Sequence, residues 1–232
     1  KQIVKAVGKD GSYEMVKQYE IEGGQHLVFR MYSSEGLNYH DFELVKVKDK
    51  TWIADMFIYT TGENFSKSMG DVISGYLGNG TGNGDAKVKQ LQKFREIRSL
   101  ADRKDYKAAN RLYQSMPSEL KTTRMLQVVY LEIAHELGDS IYKKAVKEFE
   151  EQYKGDSTMY LSLMDPYLVN KDYERAMQCV EGVDKLINKD PLLDLYRGLI
   201  FKMMNKPEAA GAALEKLSAS MPDFQEGQIE LI

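Results

Sequence analysis

The apolar residues of this chain change their period once, and that change divides what it can fold into. Up to about residue 61 they alternate with polar residues in short runs broken by turn signals. From Phe65 onward they recur every three to four residues. Period two reads as strands and period 3.6 as helices. Ser12–Glu22 (SYEMVKQYEIE) puts Tyr13, Met15, Tyr19 and Ile21 on one strand face, and Gly23-Gly24 then supplies a hairpin turn. Gln25–Ser33 sets Leu27, Phe29 and Met31 on one side, and Ser34-Glu35-Gly36 is the next turn. Leu37–Lys48 and Thr51–Thr61 follow, separated by Asp49-Lys50, and residues 2–7 read as an extra strand. Short connections make neighbours antiparallel. Phe65, Met69, Val72, Ile73, Tyr76 and Leu77 then mark one amphipathic helix, expected to cover part of the sheet. Residues 1–77 are thus expected to be an α+β domain, a twisted antiparallel sheet of four or five strands plus one helix.

The first 84 residues hold 12 of the 18 glycines and none of the 5 prolines. Four of those glycines fall in Gly78–Gly84 (GNGTGNG). A phosphate loop needs a Gly-Lys-Ser/Thr ending that enters a helix, but Asp85-Ala86-Lys87 follow here. A dinucleotide fingerprint needs a strand before it, where a helix is expected. Residues 78–84 therefore read as a flexible Gly/Asn-rich linker.

Beyond it a repeat is visible. Lys104-Asp105-Tyr106-Lys107-Ala108-Ala109 matches Lys171-Asp172-Tyr173-Glu174-Arg175-Ala176, and Gly138-Asp139 opens a similar turn before Tyr142 and Ala145. Alanines 109, 145, 176 and 210 are spaced by 36, 31 and 34 residues. Residues 85–232 parse into about four helix pairs: 86–103 with 105–116, 118–137 with 139–154, 157–169 with 171–188, and 191–204 with 206–220. This period, turn and alanine resemble the tetratricopeptide-repeat family, best in the last unit, with Gly198, Phe201, Ala210, Leu214 and Pro222. Small residues at Gly198 and Ala210 let paired helices approach closely. The resemblance implies an all-α helical-repeat superhelix whose concave groove, lined by first helices, binds a peptide or partner protein. Stacked repeats bury their apolar sides only against neighbours.

Groove candidates on first helices are Gln127, Tyr130, Tyr160 and Tyr196, since tyrosine offers a stiff surface with a polar tip; Tyr167 reads as core. Family members that grip a terminal carboxylate use lysine, asparagine and arginine on successive first helices, and no such set is placed here. Residues 85–107 carry eight basic and four acidic side chains, which a solvated helix face accounts for.

The run Leu37–Leu44 (LNYHDFEL) and Asp55 loosely resemble nuclear transport factor 2-like (cystatin-like) α+β domains, where a bent sheet often forms a pocket. A pocket here would involve Tyr39, His40, Asp41 and Asp55. His40 and Asp41 cannot pair within one strand, because adjacent residues point to opposite faces; Asp55 could approach either, depending on register. Members of that class begin with helices and this chain begins with a strand. Either helices precede Lys1, or the repeat array or a second copy covers the sheet.

Several functions are disfavoured. Net charge is −3 and the pI about 5.8, against the basic excess of nucleic-acid-binding domains. No apolar run is long enough to span a membrane. Cys179 cannot form an internal disulfide and sits in a periodic run (AMQCV) that reads as core; with only His26, His40 and His135 no metal set is legible, and no catalytic residues or cofactor are expected. His135-Glu136 lacks a second histidine, and no Gly-x-Ser-x-Gly occurs. A chain starting at Lys1 suits either an exported bacterial protein with its leader removed or a fragment, so compartment stays open. The expected function is a non-enzymatic protein–protein interaction scaffold. The alternatives are a small-ligand-binding or enzymatic sheet domain with the repeats as adaptor, and a structural oligomer, a homodimer through the sheet.

Overall fold

The structure, a computed structural model, describes residues 11–33, 36–77 and 84–224, with the backbone alone at 72, 75–77 and 84–91. Among the described residues five antiparallel strands lie in sequence order: β1 (Ser12–Ile21), β2 (Gly24–Ser33), β3 (Gly36–Val47), β4 (Lys50–Ile58) and β5 (Glu63–Asn64). The β1–β2 turn falls one residue before the expected Gly23-Gly24: Gly24 already pairs with Ile21, and the central residues Glu22 (52°) and Gly23 (80°) both have positive φ, the sense that matches strand twist. The extra strand expected at 2–7 lies outside the described residues. The fifth strand is the short Glu63–Asn64 pairing on Phe57 and Ile58.

The expectation that Tyr13, Met15, Tyr19 and Ile21 share a face fails. The ladder passes from Met15↔Phe29 directly to Lys17↔Val28, so Val16 is an inserted residue. One extra residue reverses every later side chain. Tyr13 therefore faces Phe29 and His40, whereas Tyr19 faces His26 and Asp41.

The helices are α1 (Phe65–Leu77), α2 (Gly84–Asp102), α3 (Tyr106–Gln114), α4 (Ser118–Lys121), α5 (Arg124–Leu137), α6 (Asp139–Gln152), α7 (Tyr160–Val169, after a 3₁₀ turn at Ser157–Met159), α8 (Tyr173–Ile187), α9 (Leu193–Met203) and α10 (Pro207–Ser220). They pack in consecutive pairs α2/α3, α5/α6, α7/α8 and α9/α10. The repeated Lys-Asp-Tyr-x-x-Ala string has a local cause. Lys104 and Lys171 take left-handed φ of 61° and 60°. Asp105 and Asp172 then cap α3 and α8, accepting from the N–H of Ala108 and Arg175. Ala109 and Ala176 are buried at the helix contact. Asn205 (φ 57°) and Pro207 make the equivalent turn before buried Ala210. The helix expected over 118–137 is broken at Thr122-Thr123. Their hydroxyls donate to the carbonyls of Glu119 and Leu120, and Thr123 turns extended at ψ 135°.

Close approach also needs glycine. At Gly198 a β-carbon would meet Leu214 at 2.6 Å, and at Gly182 it would come within 2.2 Å of the Tyr160 ring. α1 packs against β4, β5, α2 and α4, and Phe65 and Ile73 stay exposed, so it does not blanket the sheet. The helical array covers it instead. Val28, Tyr39 and Tyr59 share one core with Leu161, Met164, Leu192 and Leu193.

Candidate groove on the helical array

A groove of about 580 Å³ opens between α3, α4, α5 and α6. Its floor includes α5, the first helix of the second pair, and its walls are second helices α3 and α6. Tyr130 on α5 stacks on Tyr113 of α3, with ring centroids 3.8 Å apart and planes 4° from parallel. The Gln114 amide donates to the Tyr130 hydroxyl at 3.2 Å. Lys121 lies 5.5 Å from the Tyr113 centroid and donates to the Gln114 carbonyl at 2.8 Å. Gln127 donates to Gln152 at 2.7 Å and accepts from the Tyr153 hydroxyl at 2.6 Å. Lys144 and Glu148 of α6 complete the rim. Burial, then the Glu148 charge, pushes the Tyr130 phenol above its ordinary pKa, so it remains a neutral donor and acceptor. Aromatic faces beside amides that can exchange partners suit a polypeptide backbone.

The four predicted groove residues do not share this site. Gln127 and Tyr130 line it. Tyr160 is half-buried with its ring over Gly182. Tyr196 is half-buried against the core that the sheet shares with the array. Tyr167 is core, with the Arg175 guanidinium 4.3 Å over its ring. Cys179 is buried, and burial pushes its thiol up to about 12, as packing rather than reactivity. Of the basic segment, Arg98 pairs with Asp102 and Glu132. Among the described residues no cluster of His, Cys, Asp or Glu could hold a metal ion.

The predicted sheet pocket is likewise dispersed. Tyr39 donates to Asp190 at 2.9 Å inside the sheet–array contact. Asp41 faces the same side and accepts from Tyr19 and from His26 Nδ1 at 3.0 Å. His40 faces the other side. The Asn38 carbonyl oxygen accepts from the N–H groups of Tyr39 and Thr60, which turns its NH₂ toward His40 Nε2 at 3.1 Å. Nε2 is thus an acceptor, and Nδ1–H points at the Tyr13 oxygen at 3.0 Å. Burial holds His40 down to about 4, neutral near pH 7. Asp55 pairs opposite Glu43 and holds the start of α1 by accepting from Ser66. Partial burial opposes it, but these bonds and the Met56 N–H lower its pKa.

Two contacts that join sheet to array escaped the sequence reading. Arg30 on β2 is almost wholly buried and donates to Asp190 at 2.6 Å and Glu14 at 2.7 Å. Arg124 at the start of α5 donates to the Gly62 carbonyl and Thr158 at 2.8 Å each and pairs with Asp156. Arg30 shares a strand face with Val28 and Tyr32, so an arginine at this inward position is a legible sign of a distant partner.

No protein-family model matches the chain. Neither the curated proteins nor the solved structures hold a match to it.

Proposed function

We propose that this protein is a non-enzymatic interaction module whose helical array binds an extended peptide or protein segment in the Tyr113–Tyr130 groove. One observation carries the reading. The groove is open and lined by amides and aromatic faces, while first helix α7 and the segment that leads into first helix α9 are engaged by the chain's own sheet domain through Ser162 and Asp190. The repeat resemblance supports the same reading from the side of sequence. A partner would thus meet the first two helix pairs, with the sheet acting as a built-in cover for the last two. The small-ligand alternative is not carried by its predicted residues, because Tyr39 and Asp41 share one sheet face and are engaged by Asp190 and by Tyr19 and His26, His40 lies on the other face, and Asp55 holds the start of α1. The array covers the face carrying Val28 and Tyr39, so a homodimer through the sheet would use the opposite face, which carries Tyr13, Phe29 and Phe42.

The test is panning of a random-peptide library against the full chain, followed by titration of the selected peptides. Gln127→Ala and Lys144→Glu should weaken them about tenfold or more, the usual effect of altering a side chain central to an interface, with circular dichroism unchanged. Selected peptides that bind both variants like the parent protein would refute the groove.

A further inference from the structure

The long β3–β4 hairpin outreaches the rest of the sheet. The last β2–β3 pair is Gln25↔Leu44, and β5 meets β4 only at Phe57 and Ile58. Residues 45–52 are therefore a two-stranded ribbon, and among the described residues neither of its edges is paired. Its side chains are unusual for a solvated tip. Trp52, the only tryptophan, is 56% exposed, Val47 53% and Ile53 62%. Val45 stands opposite Trp52 and Leu44 opposite Ile53, so both faces of the ribbon carry apolar side chains. Lys46, Lys48 and Lys50 surround them, all exposed, against the single acid Asp49.

Lysines on a free strand edge oppose pairing with a second copy. That role does not account for an open Trp, Ile and Val on the same ribbon. A protein groove would suit one apolar face. An apolar wedge with a tryptophan and a lysine collar suits a bilayer interface, where tryptophan sits at headgroup level and lysine stems reach anionic lipid. The neighbouring β1–β2 turn carries Glu20 and Glu22 beside exposed Ile21, so the ribbon alone is cationic.

We infer that the β3–β4 hairpin tip, through Trp52, Val47, Ile53 and its three lysines, docks this protein onto an anionic lipid surface. The lone tryptophan makes this directly readable. The full chain is titrated with vesicles of phosphatidylglycerol mixed with phosphatidylcholine, and with phosphatidylcholine alone, while Trp52 emission is followed. A blue shift with the anionic vesicles only, weakened by salt, is expected. Lys46→Glu/Lys48→Glu/Lys50→Glu should lower the partition coefficient about tenfold or more, since each basic residue near an anionic surface contributes severalfold. Val47→Asp should also lose binding, with Trp52 still present as reporter. No shift with any vesicle overturns the assignment. So does a shift that depends on protein concentration without lipid, which marks a second copy, or one produced by polyglutamate but not by vesicles, which marks an acidic protein partner.

Discussion

Removing the carboxylate of Asp190 should loosen the sheet from the array. Asp190 is fully buried, accepts from Arg30 at 2.6 Å, from Tyr39 at 2.9 Å and from the Leu192 N–H at 3.0 Å. In Asp190→Ala the guanidinium of Arg30 stays buried with half-exposed Glu14 as its remaining charged partner and the Met221 sulfur at 3.9 Å, and its Nε already lacks a partner. Breaking one side of a buried pair costs about 3–5 kcal/mol. At about 2–4 °C per kcal/mol for a chain of this size, Tm should fall by about 6–20 °C. Urea unfolding followed by far-UV circular dichroism measures the loss directly. The penalty arises from the stranded charge rather than from the pair's own worth. Arg30→Met/Tyr39→Phe/Asp190→Leu, which strands no charge and leaves only the Leu192 N–H without its acceptor, should therefore recover most of the stability. A loss below about 1 kcal/mol in Asp190→Ala, or a triple variant no better than the single one, would refute this account.

Other consequences follow from the same geometry. His40 is held at about 4, below its ordinary 6.5, so the unfolded chain binds its proton first as pH falls. Its share of stability is complete above about pH 6.5 and about 3 kcal/mol of it is lost on approaching pH 4. His40→Gln should flatten that acid limb in urea titrations, and an unchanged limb would count against the buried-neutral assignment. Gly182→Ala drives a methyl into the Tyr160 ring and should cost about 1–3 kcal/mol by thermal melting. Gly182→Ala/Tyr160→Ala should cost less than the two single changes summed. For the groove and the hairpin tip, the peptide and vesicle titrations described above are the checks.

Local signals carried much of this fold. Turn chemistry at Glu22-Gly23, aspartate caps at 105 and 172, and buried alanines one helix pair apart act over a few residues, so their pattern is written in the chain. The helix break at Thr122-Thr123 was local too, yet hydroxyl competition for carbonyls is weak against a strong apolar period, and the period dominated the reading. Gln127 and Tyr130 were legible as exposed positions on a first helix. Tyr160 and Tyr196 followed the same rule and went elsewhere, because Gly182 and the core shared with the sheet, which claim them, bring in residues distant in sequence.

By itself, then, the sequence determined where strands give way to helices, the order of both, and the small residues at which paired helices touch. Tertiary structure alone decided which sheet face is covered. A single inserted residue, Val16, sends Tyr13 and Tyr19 to opposite faces, and no period reveals it without the partner strand. It also decided that Arg30 meets Asp190, 160 residues away. The physical reason is common to both. A side chain's environment is set by whatever packs across from it, and strand register and docking choose that neighbour through burial summed over the whole contact.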